Sequence, residues 1–122
     1  MADKLYFDNI LVGDIKYKSG DFPSLNGDFK LLLTPTDNLS KHILNYIDYS
    51  SRHDRYYASM DGAVEYEPAE NELEKLEVEE NEYFDLIETN NWKIIESNGT
   101  ITKILIPLFG FDNNIVWRLN VD

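Results

Sequence analysis

The chain has 122 residues, a net charge of −12 and no cysteine. That length suits one domain of ordinary size, and the missing thiols exclude disulfides, a cysteine nucleophile and a thiolate metal site. Apolar residues at 43% and sixteen aromatics (two Trp, eight Tyr, six Phe) give a composition that folds, unlike that of a disordered acidic chain.

In chain order, Lys4 to Phe7 and Leu11 to Lys18 read as short strands, the second alternating Ile15 and Tyr17 with Lys16 and Lys18. Residues 19–27, with Gly20, Pro23 and Asn26-Gly27, have the content of a surface loop, and Phe29 to Leu33 returns as a strand. Thr36-Asp37-Asn38 supplies capping side chains, and Leu39, Ile43, Tyr46 and Ile47 recur at helical spacing, which predicts a helix over about 38–50. Beyond it Asp61-Gly62 either turns a hairpin between Arg55-Met60 and Ala63-Tyr66, the preferred reading, or ends a longer helix. Pro68 suits the first turn of a second helix that runs to about Glu88 and stops at Asn90-Asn91. Trp92 to Glu96 and Thr100 to Ile106 are β-branched and aromatic runs around the turn Ser97-Asn98-Gly99, and Ile115 to Leu119 adds a strand. The expected fold is therefore α+β, in one domain over 1–122: a mostly antiparallel sheet with two main helices packed on one face.

The charge is local. Residues 65–88 hold ten glutamates and one aspartate against Lys75 alone, a net −10, which leaves −2 for the rest of the chain. One electronegative patch of this kind repels nucleic acid and attracts cations or basic proteins, so direct DNA or RNA binding is not expected. A helical wheel over 68–88 sets Leu73, Leu76, Tyr83, Phe84 and Ile87 on one face and Glu70, Glu74, Glu77, Asp85 and Glu88 opposite. The acidic row is either a solvated face that keeps the chain soluble or a docking surface for a basic partner. Docking would relieve the repulsion between like charges four residues apart. Glu80 falls on the apolar arc, where its charge is costly. It can reach past the rim, meet Arg118 or Lys103, or follow a break in the helix near Val78; a functional buried carboxylate is the remaining reading.

His42 and His53 are the two histidines, and Arg52-His53-Asp54-Arg55 is the one basic cluster. Neighbouring His and Asp side chains point in different directions on a regular element, and no nucleophile or oxyanion motif accompanies them, so surface or capping roles are expected. No zinc or EF-hand spacing is present and the glycines stand singly, so neither metal nor cofactor is expected. Tyr46, Tyr49, Tyr56, Tyr57 and Tyr66 around the expected hairpin, with Trp92 and Trp117 on strands, are mostly core candidates, and Tyr56 and Tyr57 are also candidate anchors for a partner. The first residues lack the pattern of a secretory signal and no apolar run reaches ~18 residues, so a cytoplasmic protein without a membrane span is expected.

In its size, its acidity and its lack of a catalytic set, the sequence resembles the small bacterial immunity proteins that neutralise cognate nuclease toxins. The resemblance implies a non-enzymatic inhibitor whose acidic surface (Glu70, Glu74, Glu77, Asp85, Glu88, with Tyr56 and Tyr57) blocks a basic partner such as a nuclease toxin. Two other classes stay open. One is a small enzyme or ligand-binding domain with a pocket near His53, Asp54 and the tyrosines; the other is a structural or adaptor subunit using an exposed apolar strand edge.

Overall fold

The computed structural model describes residues 3–20, 24–62 and 65–120. Seven strands form one sheet: β1 (Asp3–Phe7), β2 (Ile10–Ser19), β3 (Ser24–Leu31), β4 (Trp92–Ile95), β5 (Ile101–Lys103), β6 (Leu108–Phe109) and β7 (Asn114–Arg118). Their order is β5-β4-β1-β2-β3-β7-β6, and every strand pair is antiparallel. The end of β5 is tied to the end of β7: Ile104 bridges Leu119, the Leu105 N–H donates to the Arg118 carbonyl at 2.9 Å, and the Asn120 N–H donates to that of Lys103 at 3.1 Å. Only short stretches of edge are left unpaired, which protects the sheet from pairing with other chains.

Alternation along each strand separates two chemistries. Leu5 and Phe7, Ile15, Trp92 and Ile94, and Ile115 and Trp117 are buried on one face. On the other face, by strand register, stand Lys4, Lys16, Lys30, Lys93, Lys103 and Arg118, six of the chain's eleven bases. The side-chain period of two does this, since one hydrophobic residue in every pair buys the core and the other position is free for charge.

Two main helices cover the apolar face: α1 (Asn38–Met60) and α2 (Glu72–Glu80). A 3-10 turn over Asn81–Tyr83 and a short α3 (Phe84–Ile87) continue from α2. Asp37 caps α1 by accepting from the Ser40 N–H and the Ser40 hydroxyl, each at 2.7 Å. Ile43, Tyr46, Tyr49 and Ser50 form the buried stripe of α1. Two long-range bonds fasten that stripe to the β5–β6 segment: Tyr46 Oη donates to the Pro107 carbonyl at 2.8 Å, and Ser50 Oγ accepts from the Phe109 N–H at 2.7 Å. Trp92, fully buried, donates its indole N–H to the Leu86 carbonyl at 2.8 Å and so ties β4 to α3.

Several expectations about the elements are corrected. The preferred hairpin over Arg55-Tyr66 does not form. Helix α1 continues to Met60 and ends on Asp61 and on Gly62, whose φ of 73° is the left-handed conformation that glycine favours. Ala63 and Val64, half of the expected return strand, lie outside the described residues, and Glu65 and Tyr66 are not in a strand. Ser24 to Gly27, read as loop, begin β3; residues 21–23 of that loop lie outside the described residues. Gly27 sits opposite Tyr17 and Ile115, so close to the neighbouring strand that a Cβ there would lie 2.3 Å from the Lys16 carbonyl oxygen. Its role is close strand approach and not a turn. The second helix starts at Glu72, not at Pro68, and the expected strand over 100–106 ends at Lys103; Ile104 keeps a bond to the Trp92 carbonyl of β4 at 3.2 Å and bridges Leu119 beyond β7.

Candidate functional site

The 3-10 turn sets the geometry of the acidic segment. Three residues advancing ~120° each instead of ~100° rotate everything after Tyr83 by roughly 60° relative to an unbroken helix. Leu86 thereby swings inward to full burial, in line with Leu76, and Phe84 swings outward to 47% exposure. The wheel's placement of Phe84 on the apolar face is thus corrected. Phe84 joins the outward arc that carries Glu74, Glu77, Val78 and Glu88, all of them exposed.

Some carboxylates of the segment are taken up internally. Arg52 forks onto Glu79, with Nη1 at 3.0 Å from one oxygen and Nη2 at 2.5 Å from the other, while its Nε donates to Asp48 at 2.9 Å. The Tyr83 hydroxyl donates to the same Glu79 at 3.3 Å, and burial together with that carboxylate pushes the Tyr83 phenol up to about 12. Arg55 stacks on the Tyr66 ring at 4.1 Å, and the Tyr66 hydroxyl donates to Glu72, which raises its pKa. Asp85, in the expected docking row, pairs with His42 Nε2 at 2.9 Å, and the His42 ring lies 5.3 Å from that of Tyr83. These pairs fasten α2 and α3 to α1.

The remaining expected residues divide. Glu70 lies in the turn before α2, Glu74 and Glu77 lie on α2, and Glu88 caps α3; all four are exposed, and none has a hydrogen bond to a basic side chain among the described residues. Tyr57 is 48% exposed near the end of α1, whereas Tyr56 packs against the core with its ring T-shaped to that of Tyr57 at 5.4 Å. The two tyrosines stand on α1, and Tyr57 faces a recess beside His53 and Asp54 instead of the α2 carboxylates.

The sequence reading missed the apolar members of the surface. Val78 is 64% exposed and borders, with Asn71, Glu74, Lys75, Glu79 and Glu82, a shallow concavity of about 610 Å³. An exposed valine and an exposed phenylalanine ringed by carboxylates combine apolar anchors with a charged rim. Wheel phase alone places Val78 outward, since it precedes the 3-10 turn, whereas placing Phe84 needed that turn. Glu80 meets neither Arg118 nor Lys103 among the described residues, and the helix breaks at Asn81, not near Val78. It is half-buried against Tyr49 and His53. No three His, Asp or Glu side chains converge as a metal-holding group among the described residues, and none of their helices is long and apolar enough to cross a membrane.

No family model, no curated protein and no solved structure matches this chain.

Proposed function

We propose that this protein is a non-enzymatic inhibitor of the immunity-protein kind, which lays the outward surface of α2 and α3 over a basic site on a partner protein such as a nuclease toxin. The observation that carries the reading is the exposure of Val78 and Phe84 among Glu74, Glu77 and Glu88, carboxylates without an ion pair among the described residues. A face kept only for solubility gains nothing from a half-exposed phenylalanine, whereas a docking face uses one as its anchor.

Charge separation supports the same reading. Asp14 and Asp28 share the outer face of the sheet with the six bases, which leaves that face net positive against the acidic helical side. The molecule would approach a cationic surface helices first, which raises the rate of productive encounter. The adaptor alternative called for an apolar strand edge, and the edge strands β5 and β6 are three and two residues long, with Ile104 after β5 bridging Leu119 after β7.

The test uses the protein and its triple variant E70K/E74K/E77K as baits in the native cell, then measures association of the captured partner at low and high salt. A basic partner that binds the variant more slowly and with a weaker salt dependence is expected, with both baits giving the same circular dichroism. Equal association rates for the two proteins would overturn the reading.

A further inference from the structure

A groove between α1, the α2–α3 junction and the segment leading into β6 encloses about 160 Å³. That is about five times the ~30 Å³ share of a water molecule in the liquid, so it admits a small polar head and not a nucleotide. Ile87, Ile106 and Leu108 form its apolar wall, and Tyr49, His53 and Glu80 line the rest. Tyr46 and Ser50 also border it, but their hydroxyls are bonded to the Pro107 and Phe109 backbone.

Three polar groups in the groove have no such partner. Tyr49 is only 6% exposed, yet its hydroxyl makes no hydrogen bond among the described residues, and the same holds for the His53 ring and the Glu80 carboxylate. Open to the groove and without an internal bond among the described residues, the Tyr49 hydroxyl is available to what the groove receives. The rings of Tyr49, His53 and Tyr57, four residues apart along α1, form a continuous ladder with centroid spacings of 5.9 and 4.9 Å. Past His53 the ladder enters a second recess of about 180 Å³, where Asp54 stands beside Tyr57. Neither recess is lined by a lysine or an arginine.

A carboxylate at one end, a second carboxylate further along and an aromatic wall between them repel an anion and suit a cation. Guanidinium and ammonium groups lie on ring faces and bond to carboxylates at once, and either fits within the groove, the guanidinium filling more of it. We propose that the Tyr49–His53–Glu80 groove receives the cationic end of a basic side chain, arginine before lysine, from the docked partner. This rests on the docking function above and gives it a specific pocket, in which the planar fork of an arginine bonds to Glu80 and its face lies on the rings.

The test titrates the full chain with hexa-arginine, with hexa-citrulline as its uncharged isostere and with N-acetyl-arginine methylamide, following the ring resonances of Tyr49 and His53 by NMR. Hexa-arginine is expected to shift both rings and to bind at least tenfold more tightly than the capped monomer, while hexa-citrulline shifts neither. Glu80→Gln should weaken hexa-arginine tenfold or more, and Leu108→Trp, at an exposed place on the rim, should block the shifts without touching the core. The E70K/E74K/E77K variant should lose affinity for the peptide and still show the ring shifts at saturation. Unchanged affinity in that variant would count against the acidic face alone. Hexa-arginine binding that ignores Glu80→Gln and Leu108→Trp, or citrulline binding equally, would overturn the groove. A capped monomer that binds as tightly as the peptide would overturn the partner side chain as occupant, leaving a free small cation in its place.

Discussion

Arg52 on α1 grips Glu79 on α2 through both terminal nitrogens, at 3.0 and 2.5 Å, and so joins the two main helices at a half-buried ion pair. The fork geometry is the strong form of this interaction, and the pair raises the already high pKa of the guanidinium. It also removes Glu79 from the carboxylates free to meet a partner.

Arg52→Met is accordingly expected to destabilise the fold by about 2 kcal/mol, between the values typical of exposed and of buried pairs. Urea unfolding checks this, with a lower midpoint at unchanged slope. The double variant with Glu79→Gln should lose less than the two single losses added together, and strict additivity would show that the two residues do not cooperate.

Val78→Ser should leave stability within about 0.5 kcal/mol of the parent, because its side chain mostly faces solvent, and Phe84→Ser, whose ring is about half covered, should cost about 1 kcal/mol. Each is expected to weaken binding of the basic partner about tenfold or more, as loss of an apolar anchor does. Calorimetric titration of the two variants separates this outcome from a purely electrostatic surface, in which neither substitution matters.

Asp37 caps α1, and its bonds from the Ser40 hydroxyl and N–H hold its carboxyl below the ordinary value of 3.8. A carboxylate depressed by folding contributes stability above its unfolded pKa and loses it as the pH falls through its folded pKa. Asp37→Ala should thus lower the urea midpoint at pH 7, and the gap from the parent should close as the pH drops below the folded value. Asp37→Asn, which still caps, should retain most of the parent's midpoint at pH 7.

Gly13 on β2 faces the core, where an added Cβ would sit 2.4 Å from the Lys30 carbonyl oxygen and 2.6 Å from the Phe29 ring. Gly13→Ala forces the ring and the β3 backbone apart and should cost about 2 kcal/mol. Thermal unfolding followed by the near-UV signal of the aromatic core would register the change; an unaltered midpoint would mean that Phe29 gives way freely.

Legibility in the sequence followed the range of the forces involved. The turn Ser97-Asn98-Gly99, the strand before it and the cap at Asp37 are local and stand where propensity and spacing put them, while the strand after the turn keeps only Ile101–Lys103 of the run 100–106. Asn26-Gly27 carries an equally strong local turn signal, yet lies within β3, because strands on both sides pair with it. Asp61-Gly62 was compatible with two structures, and the ladder of Tyr49, His53 and Tyr57 packing along one side of α1 accompanies the helical one.

In the candidate site, the exposure of Glu70, Glu74, Glu77 and Glu88 was readable from periodicity, and the outward turn of Phe84 was not. A wheel assumes one pitch throughout. Three residues of tighter winding, which let Tyr83 and Leu86 both reach the core, displaced every later residue by more than half a position.

The sequence by itself determined an antiparallel α+β composition, a folded chain and a −10 segment able to form an amphipathic helix, since each follows from residue type and short-range period. Tertiary structure alone decided which acids are neutralised, by bringing Arg52 to Glu79 and His42 to Asp85 across separations of 27 and 43 residues. It alone also set Glu80 beside Tyr49 and His53 in one groove. Such meetings depend on how helices pack over a sheet, and no local preference encodes the distance between two side chains that far apart along the chain.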